Sequence, residues 1–192
     1  MELKDGIKTF YPKSPAEWRK WLKKNHDKEK KLCLILYNKD SGVETISWSE
    51  AVDEALCFGW IDSKVNKRDE DSRYQVFTPR NPKSNWSKIN KDKVARLVKD
   101  GLMQPAGMAM VELAKKTGTW DAMNGPENLE VPGDLKKVLA KNKTARNYFE
   151  AFPNSAKKSI LGWILSAKRP ETRQKRIEET VAKAEKNVRA FP

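Results

Sequence analysis

Between Leu56 and Asn90 the chain gathers side chains able to grip or activate a ligand. Trp60, Asp62 and Lys64 come first, then Arg80, Lys83, Ser84, Asn85, Trp86, Ser87 and Asn90. An arginine guanidinium is a planar fork of donors that matches phosphate or carboxylate. Arg80 to Asn90 also enters a segment that reads as helical, and a helix start presents free N–H groups and a positive dipole end to an anion. A second basic cluster, Lys168, Arg169, Thr172, Arg173 and Arg176, stands at another helix start. If the C-terminal segment folds back, both clusters face one pocket. The plainer alternative makes Ser84 or Asn85 a helix cap and pairs Arg80 with Asp62 or with an acid of the hairpin turn.

Trp60 and Trp86 lie among polar residues rather than in apolar runs. They can stack on a ring or base, or they can be half-buried walls with locally satisfied N–H groups. Asp62 is the one candidate acid or base, since a carboxylate beside an indole can have a raised pKa. An ion pair with Lys64 or Arg80 explains it as well. Cys57 is flanked by Leu56 and Phe58, and the lone His26 lies in another segment, so a thiol–imidazole pair is not indicated. The chain carries no P-loop and no G-x-G-x-x-G. One His and two scattered Cys do not make a structural zinc site, and no cofactor is called for. Cys33 and Cys57 read as buried free thiols.

These residues need elements to place them. Ser14-Pro15-Ala16-Glu17 opens a helix that puts Trp18, Trp21 and Leu22 on one face and ends near Asn25-His26. Leu32 to Tyr37 is an apolar run that fits a strand buried on both sides, and Glu44 to Ile46 is expected to pair back briefly. Ser47-Trp48-Ser49-Glu50 is a capping box for a helix through Cys57, closed by Gly59. Trp18, Trp21, Trp48 and Trp163 read as core. Trp60 to Asn66 and Arg73 to Thr78 alternate around an acidic connection, which predicts a hairpin.

Helices are then expected from about Asn85 to Lys99 and from Pro105 to near Gly118. Trp120 to Glu130 reads as a loop. Short helices follow over Asp134–Ala140, Thr144–Glu150 and Ser155–Ser166, and a last one runs from Pro170 to about Asn187. Its apolar stripe is Ile177, Val181, Ala184 and Val188. The fold class is α+β, with a small, mainly antiparallel sheet flanked by helices and an all-helical C-terminal third. The expected division is 1–126 and 127–192, in one compact unit.

Seven Trp argue against disorder, and no apolar run approaches the roughly 20 residues a bilayer span needs. The first residues, Met1 to Gly6, have no apolar stretch after their charges, so the expected compartment is the cytoplasm. The net charge of +13 is uneven. Residues 61–100 carry 11 basic and 6 acidic groups, and residues 142–192 carry 12 and 5, while the rest is close to balance. Such a field attracts phosphates, nucleic acid or an anionic membrane, or simply keeps the protein soluble.

Several of these motifs resemble the bacterial YdeI/OmpD-associated family, the bacteriocin-protection proteins. They are Trp18-Arg19-Lys20-Trp21-Leu22, Ala51 to Asp62 as A-V-D-E-A-L-C-F-G-W-I-D, and Thr78 to Asn90 as T-P-R-x-P-K-S-N-W-S-K-I-N. Gly118-x-Trp120-Asp121, Val131-Pro132-x-Asp134-Leu135 and Ala167-Lys168-Arg169-Pro170-Glu171-Thr172-Arg173 add to it. The resemblance is read as covering nearly the whole chain from about residue 10. It implies a stress or protection role against bacteriocins or antimicrobial peptides and association with a porin, and it carries no catalytic residue. Three functions remain in view. The first is a non-catalytic protein binding a small anion or a protein partner, the second a nucleic-acid binder, and the third an enzyme using Asp62.

Overall fold

The computed structural model describes residues 2–191. The chain forms two units divided between Trp120 and Asp121. The N-terminal unit is built on a sheet with strand order β1-β2-β3-β5-β4, comprising β1 (Leu3–Lys4), β2 (Ile7–Phe10), β3 (Leu32–Tyr37), β4 (Trp60–Lys67) and β5 (Ser72–Pro79). Three of its pairings are antiparallel and β2–β3 is parallel, so the sheet is mixed but mainly antiparallel. Strand β3 is central, which explains its unbroken apolar sequence. Leu32, Leu34 and Leu36 are buried with one cluster, and Cys33 and Ile35 with another.

Around the first face pack α1 (Pro15–Asn25), α2 (Trp48–Cys57), α3 (Lys88–Lys99) and α4 (Pro105–Thr117). Their sequences contain their own boundaries. Ser14 Oγ accepts from Glu17 N at 3.4 Å. The Ser47/Glu50 capping box is complete in both directions, and Gly59 turns the chain into β4 with φ of 74°. Trp18 and Leu22 of α1 and Val52 and Leu56 of α2 meet Leu34 and Phe77 in one core. Both cysteines are buried and free.

The expected return strand at Glu44–Ile46 is absent. Instead Thr45 Oγ1 accepts the Tyr37 backbone N–H at 3.3 Å, so a side chain takes the place of a ladder bond. Two strands not anticipated, β1 and β2, are joined by Asp5-Gly6, both with positive φ. Helix α3 begins at Lys88 rather than Asn85, because Ser87 caps it by accepting from Asn90 N.

The C-terminal unit comprises α5 (Asn124–Glu127), α6 (Gly133–Ala140), α7 (Lys143–Ala151), α8 (Asn154–Leu165) and α9 (Pro170–Glu185). The expected loop at 120–130 therefore contains a short helix. Leu135, Leu139, Phe149, Ile160, Ile164, Ile177 and Val181 form this unit's own core. Val188, expected on the buried stripe of α9, lies beyond the helix end and is 50% exposed.

Candidate functional site

Arg80 follows directly on β5, where its backbone N–H donates to Gly59 O at 2.8 Å. This anchors the chain beside the turn before β4 and sends the side chain inward. The guanidinium is not an open fork. It is buried, lies 3.8 Å from the Trp86 ring centroid, and donates from Nη2 to Asn85 O at 2.6 Å. Its Nε is buried with no hydrogen-bond partner among the described residues. Burial pushes the guanidinium down to about 10, and the nearby charge of Asp62 opposes that shift.

The other expected ligands around it are engaged or dispersed. Ser84 Oγ donates to Asn81 O at 2.7 Å, and Lys83 N donates to Asn81 Oδ1 at 2.9 Å. Neither Ser84 nor Asn85 caps α3, and Asn90 contributes its backbone N–H to the Ser87 cap. Lys83, Asn85 and Lys64 are exposed. Trp60 is buried, with its Nε1 donating to His26 O at 3.0 Å, and Trp86 is buried against Trp120 and Arg80. Neither indole offers a free face, which corrects the expectation of flanking aromatic walls. In the C-terminal unit Arg173 forms a bidentate pair with Asp134 at 2.6 and 3.1 Å, and Arg169 is exposed at the start of α9.

Asp62 leads to a different place. On β4 it stands opposite Phe77, and its Oδ2 accepts the Trp48 Nε1–H at 2.9 Å. Trp48, expected in the core, is 42% exposed, because it occupies the first helical position of α2, outside the buried stripe of Ala51, Val52, Ala55 and Leu56. It lines a cleft of about 420 Å³ together with Tyr37, Lys39, Glu50 and Arg73.

The walls of this cleft are fixed by short-range chemistry. Asn38 Nδ2 donates to Glu70 O at 3.0 Å, and Tyr11 packs edge-on against Tyr37 at 5.2 Å while its hydroxyl donates to Glu44 O. Glu50 is the carboxylate present, and its Oε2 already accepts the Ser47 N–H at 2.8 Å. Arg73 projects from β5 opposite Leu36 of β3, half-buried, and Lys39 is exposed just past β3. Among the described residues neither cation has an ion pair or a side-chain hydrogen bond. The arrangement therefore combines two uncommitted cations, an exposed indole and a phenol ring. That is chemistry for holding an anion, with room for an apolar part beside it.

Sequence reasoning did not single out Tyr37, Lys39, Trp48 or Arg73 as a site. Asp62 was singled out, and the structure gives it an indole N–H to hold. Among the described residues no cluster of three or more His, Cys, Asp or Glu side chains is placed to hold a metal ion, and no helix is long and apolar enough to cross a membrane.

Comparison with known proteins divides the chain in a similar way. Residues 128–187 match the family described as "Bacteriocin-protection, YdeI or OmpD-Associated". That is about a third of the chain, narrower than the resemblance read from the sequence, and the motifs at Trp18–Leu22, Ala51–Asp62 and Thr78–Asn90 lie outside it. Those motifs fall in residues 10–110, which match a different family. No curated protein and no solved structure matches the chain. Because the match over residues 10–110 spans just over half of the 192 residues, the protein belongs to the family described as "Domain of unknown function (DUF8412)".

Proposed function

We propose that this protein is a non-catalytic binding protein and that the cleft of Tyr37, Lys39, Trp48 and Arg73 takes a small phosphate- or carboxylate-bearing ligand. The observation that carries this reading is the uncommitted Arg73 guanidinium, half-buried in a cleft whose one carboxylate is already occupied. A charged group removed from water without a partner is costly, and an anion arriving there restores what burial removed. Asp62 serves this site as a positioning residue for the Trp48 indole rather than as an acid or base. The match of residues 128–187 supports a protective role against bacteriocins, and we extend that role to antimicrobial peptides and place the protein in the cytoplasm.

The test is a calorimetric titration of the full chain with phosphate, sulfate and small mono- and dicarboxylates at physiological salt. At least one should bind, and Arg73→Ala should weaken it about ten- to a hundred-fold, the range for losing one charge-assisted contact. Thermal melts of the variant should match the wild type. Binding that is indifferent to Arg73 would remove the cleft from consideration.

A further inference from the structure

We propose that the ligand of this cleft is a mononucleotide, its base stacked on Trp48 and its phosphate held by Arg73 and Lys39. This rests on the reading of the cleft as an anion site and adds the chemistry of the remainder of the ligand. Two cations would suffice for a bare anion. The cleft provides more. Of the seven tryptophans, Trp48 is the one among the exposed large apolar side chains, while Trp18, Trp60 and Trp86 are buried almost completely. Its indole N–H is already given to Asp62 at 2.9 Å, which orients the ring and leaves its face as the part still able to interact. An aromatic face held in place and wet is suited to stacking on a planar base.

Charge and size agree with this. Lys39 and Arg73 line the cleft with one carboxylate, Glu50, which is bound to the Ser47 N–H, and the neighbouring Asp62 carboxylate is engaged by the Trp48 indole, so the two cations are what remains for an anion. The N-terminal N–H groups of α2 are not the attraction, because the Ser47/Glu50 capping box already uses that end. A volume of about 420 Å³ lies within the range of small-molecule sites and exceeds the need of an inorganic ion. Tyr37 adds a second ring, held by Tyr11, against which a ribose can rest.

The experiment titrates the full chain with the four ribonucleoside 5′-monophosphates, inorganic phosphate, adenosine and a short single-stranded oligonucleotide. At least one monophosphate should bind roughly ten-fold or more tightly than phosphate or adenosine and quench indole emission. Trp48→Ala should cost that monophosphate about ten-fold and leave phosphate unaffected. Arg73→Ala should weaken both. Trp48→Phe, which keeps a ring, should fall between wild type and Trp48→Ala, and circular-dichroism melts establish that each variant is folded. Monophosphates binding no better than phosphate would overturn the nucleotide assignment and leave the anion site standing. Adenosine binding as well as its monophosphate would overturn it from the other side, since the cations would then be idle. An oligonucleotide binding far more tightly than any monomer, with steep salt dependence, would replace it with single-strand recognition. Silence from every anion would remove the anion site and this proposal together.

Discussion

Arg80 sits where a cation is expensive: it is 6% exposed and, among the described residues, has no ion pair and leaves one guanidinium nitrogen unsatisfied. What it gains is contact, since it stacks at 3.8 Å on Trp86 and bonds to Asn85 O. Truncation and neutralisation should therefore differ. Arg80→Ala removes the stacking and leaves a void, a loss of about 2–4 kcal/mol. Arg80→Met keeps an apolar rod over the indole and removes the buried charge, so it should cost less than half as much. The two forms also part with pH. A cation whose folded pKa is depressed, here down to about 10 from the ordinary arginine range, opposes folding while protonated. That penalty is present below about 10 and fades as pH rises toward the unfolded value. Wild type should thus gain stability relative to Arg80→Met between about pH 8.5 and about pH 11 in urea titrations. Parallel curves would show that the charge is better solvated than its burial implies.

At the level of elements, the tightest junction is between α2 and α4. Gln104 N donates to Cys57 O at 3.1 Å, and a Cβ on Gly107 would lie 2.3 Å from Cys57 O and 2.6 Å from Leu56 O. Those are backbone atoms at the end of a helix and cannot swing aside, so Gly107→Ala must push α4 away. The expected cost is about 2–4 kcal/mol in chemical denaturation. Gly101→Ala is the control. Its φ is 67° but its Cβ would meet nothing within 4 Å, so only the left-handed backbone is penalised, by about 1–2 kcal/mol. Equal losses at the two glycines would mean the helices separate easily.

The same scale separates what local sequence could say from what it could not. The caps at Ser14 and Ser47, the central strand Leu32–Tyr37 and the β4–β5 hairpin were legible because each rests on neighbouring residues. The β1–β2 hairpin was missed although Asp5-Gly6 is a strong two-residue turn signal, because its strands are too short to show alternation. Trp48 was misplaced because it extends the apolar stripe of α2 back by one turn, and only β4 supplies the Asp62 carboxylate that draws its N–H aside. For Arg73 and Lys39 no local pattern existed. Their significance lies in having no ion-pair or side-chain hydrogen-bond partner among the described residues, which depends on every element around them.

At the scale of the whole molecule, the C-terminal unit has a helical core of its own. The residues of the core from Leu135 to Ala184 all lie in the C-terminal unit. Residues 121–192 alone should therefore give a helical circular-dichroism spectrum and a cooperative, though low, melt, as expected for a domain this small. Its acid behaviour should trace to one pair. The Arg173 guanidinium holds the Asp134 carboxyl below its ordinary value of 3.8. A depressed carboxylate contributes stability above its unfolded pKa and loses it as pH falls through the folded one. Asp134 is 42% exposed, so the contribution should stay below about 1 kcal/mol. Asp134→Asn should accordingly melt slightly lower than the unsubstituted fragment at about pH 6, and the two melts should converge by about pH 2.5. A fragment that does not melt cooperatively would show that this unit needs the rest of the chain to fold. Persistence of the gap at low pH would assign the stabilisation to packing around Arg173 rather than to the charge of Asp134.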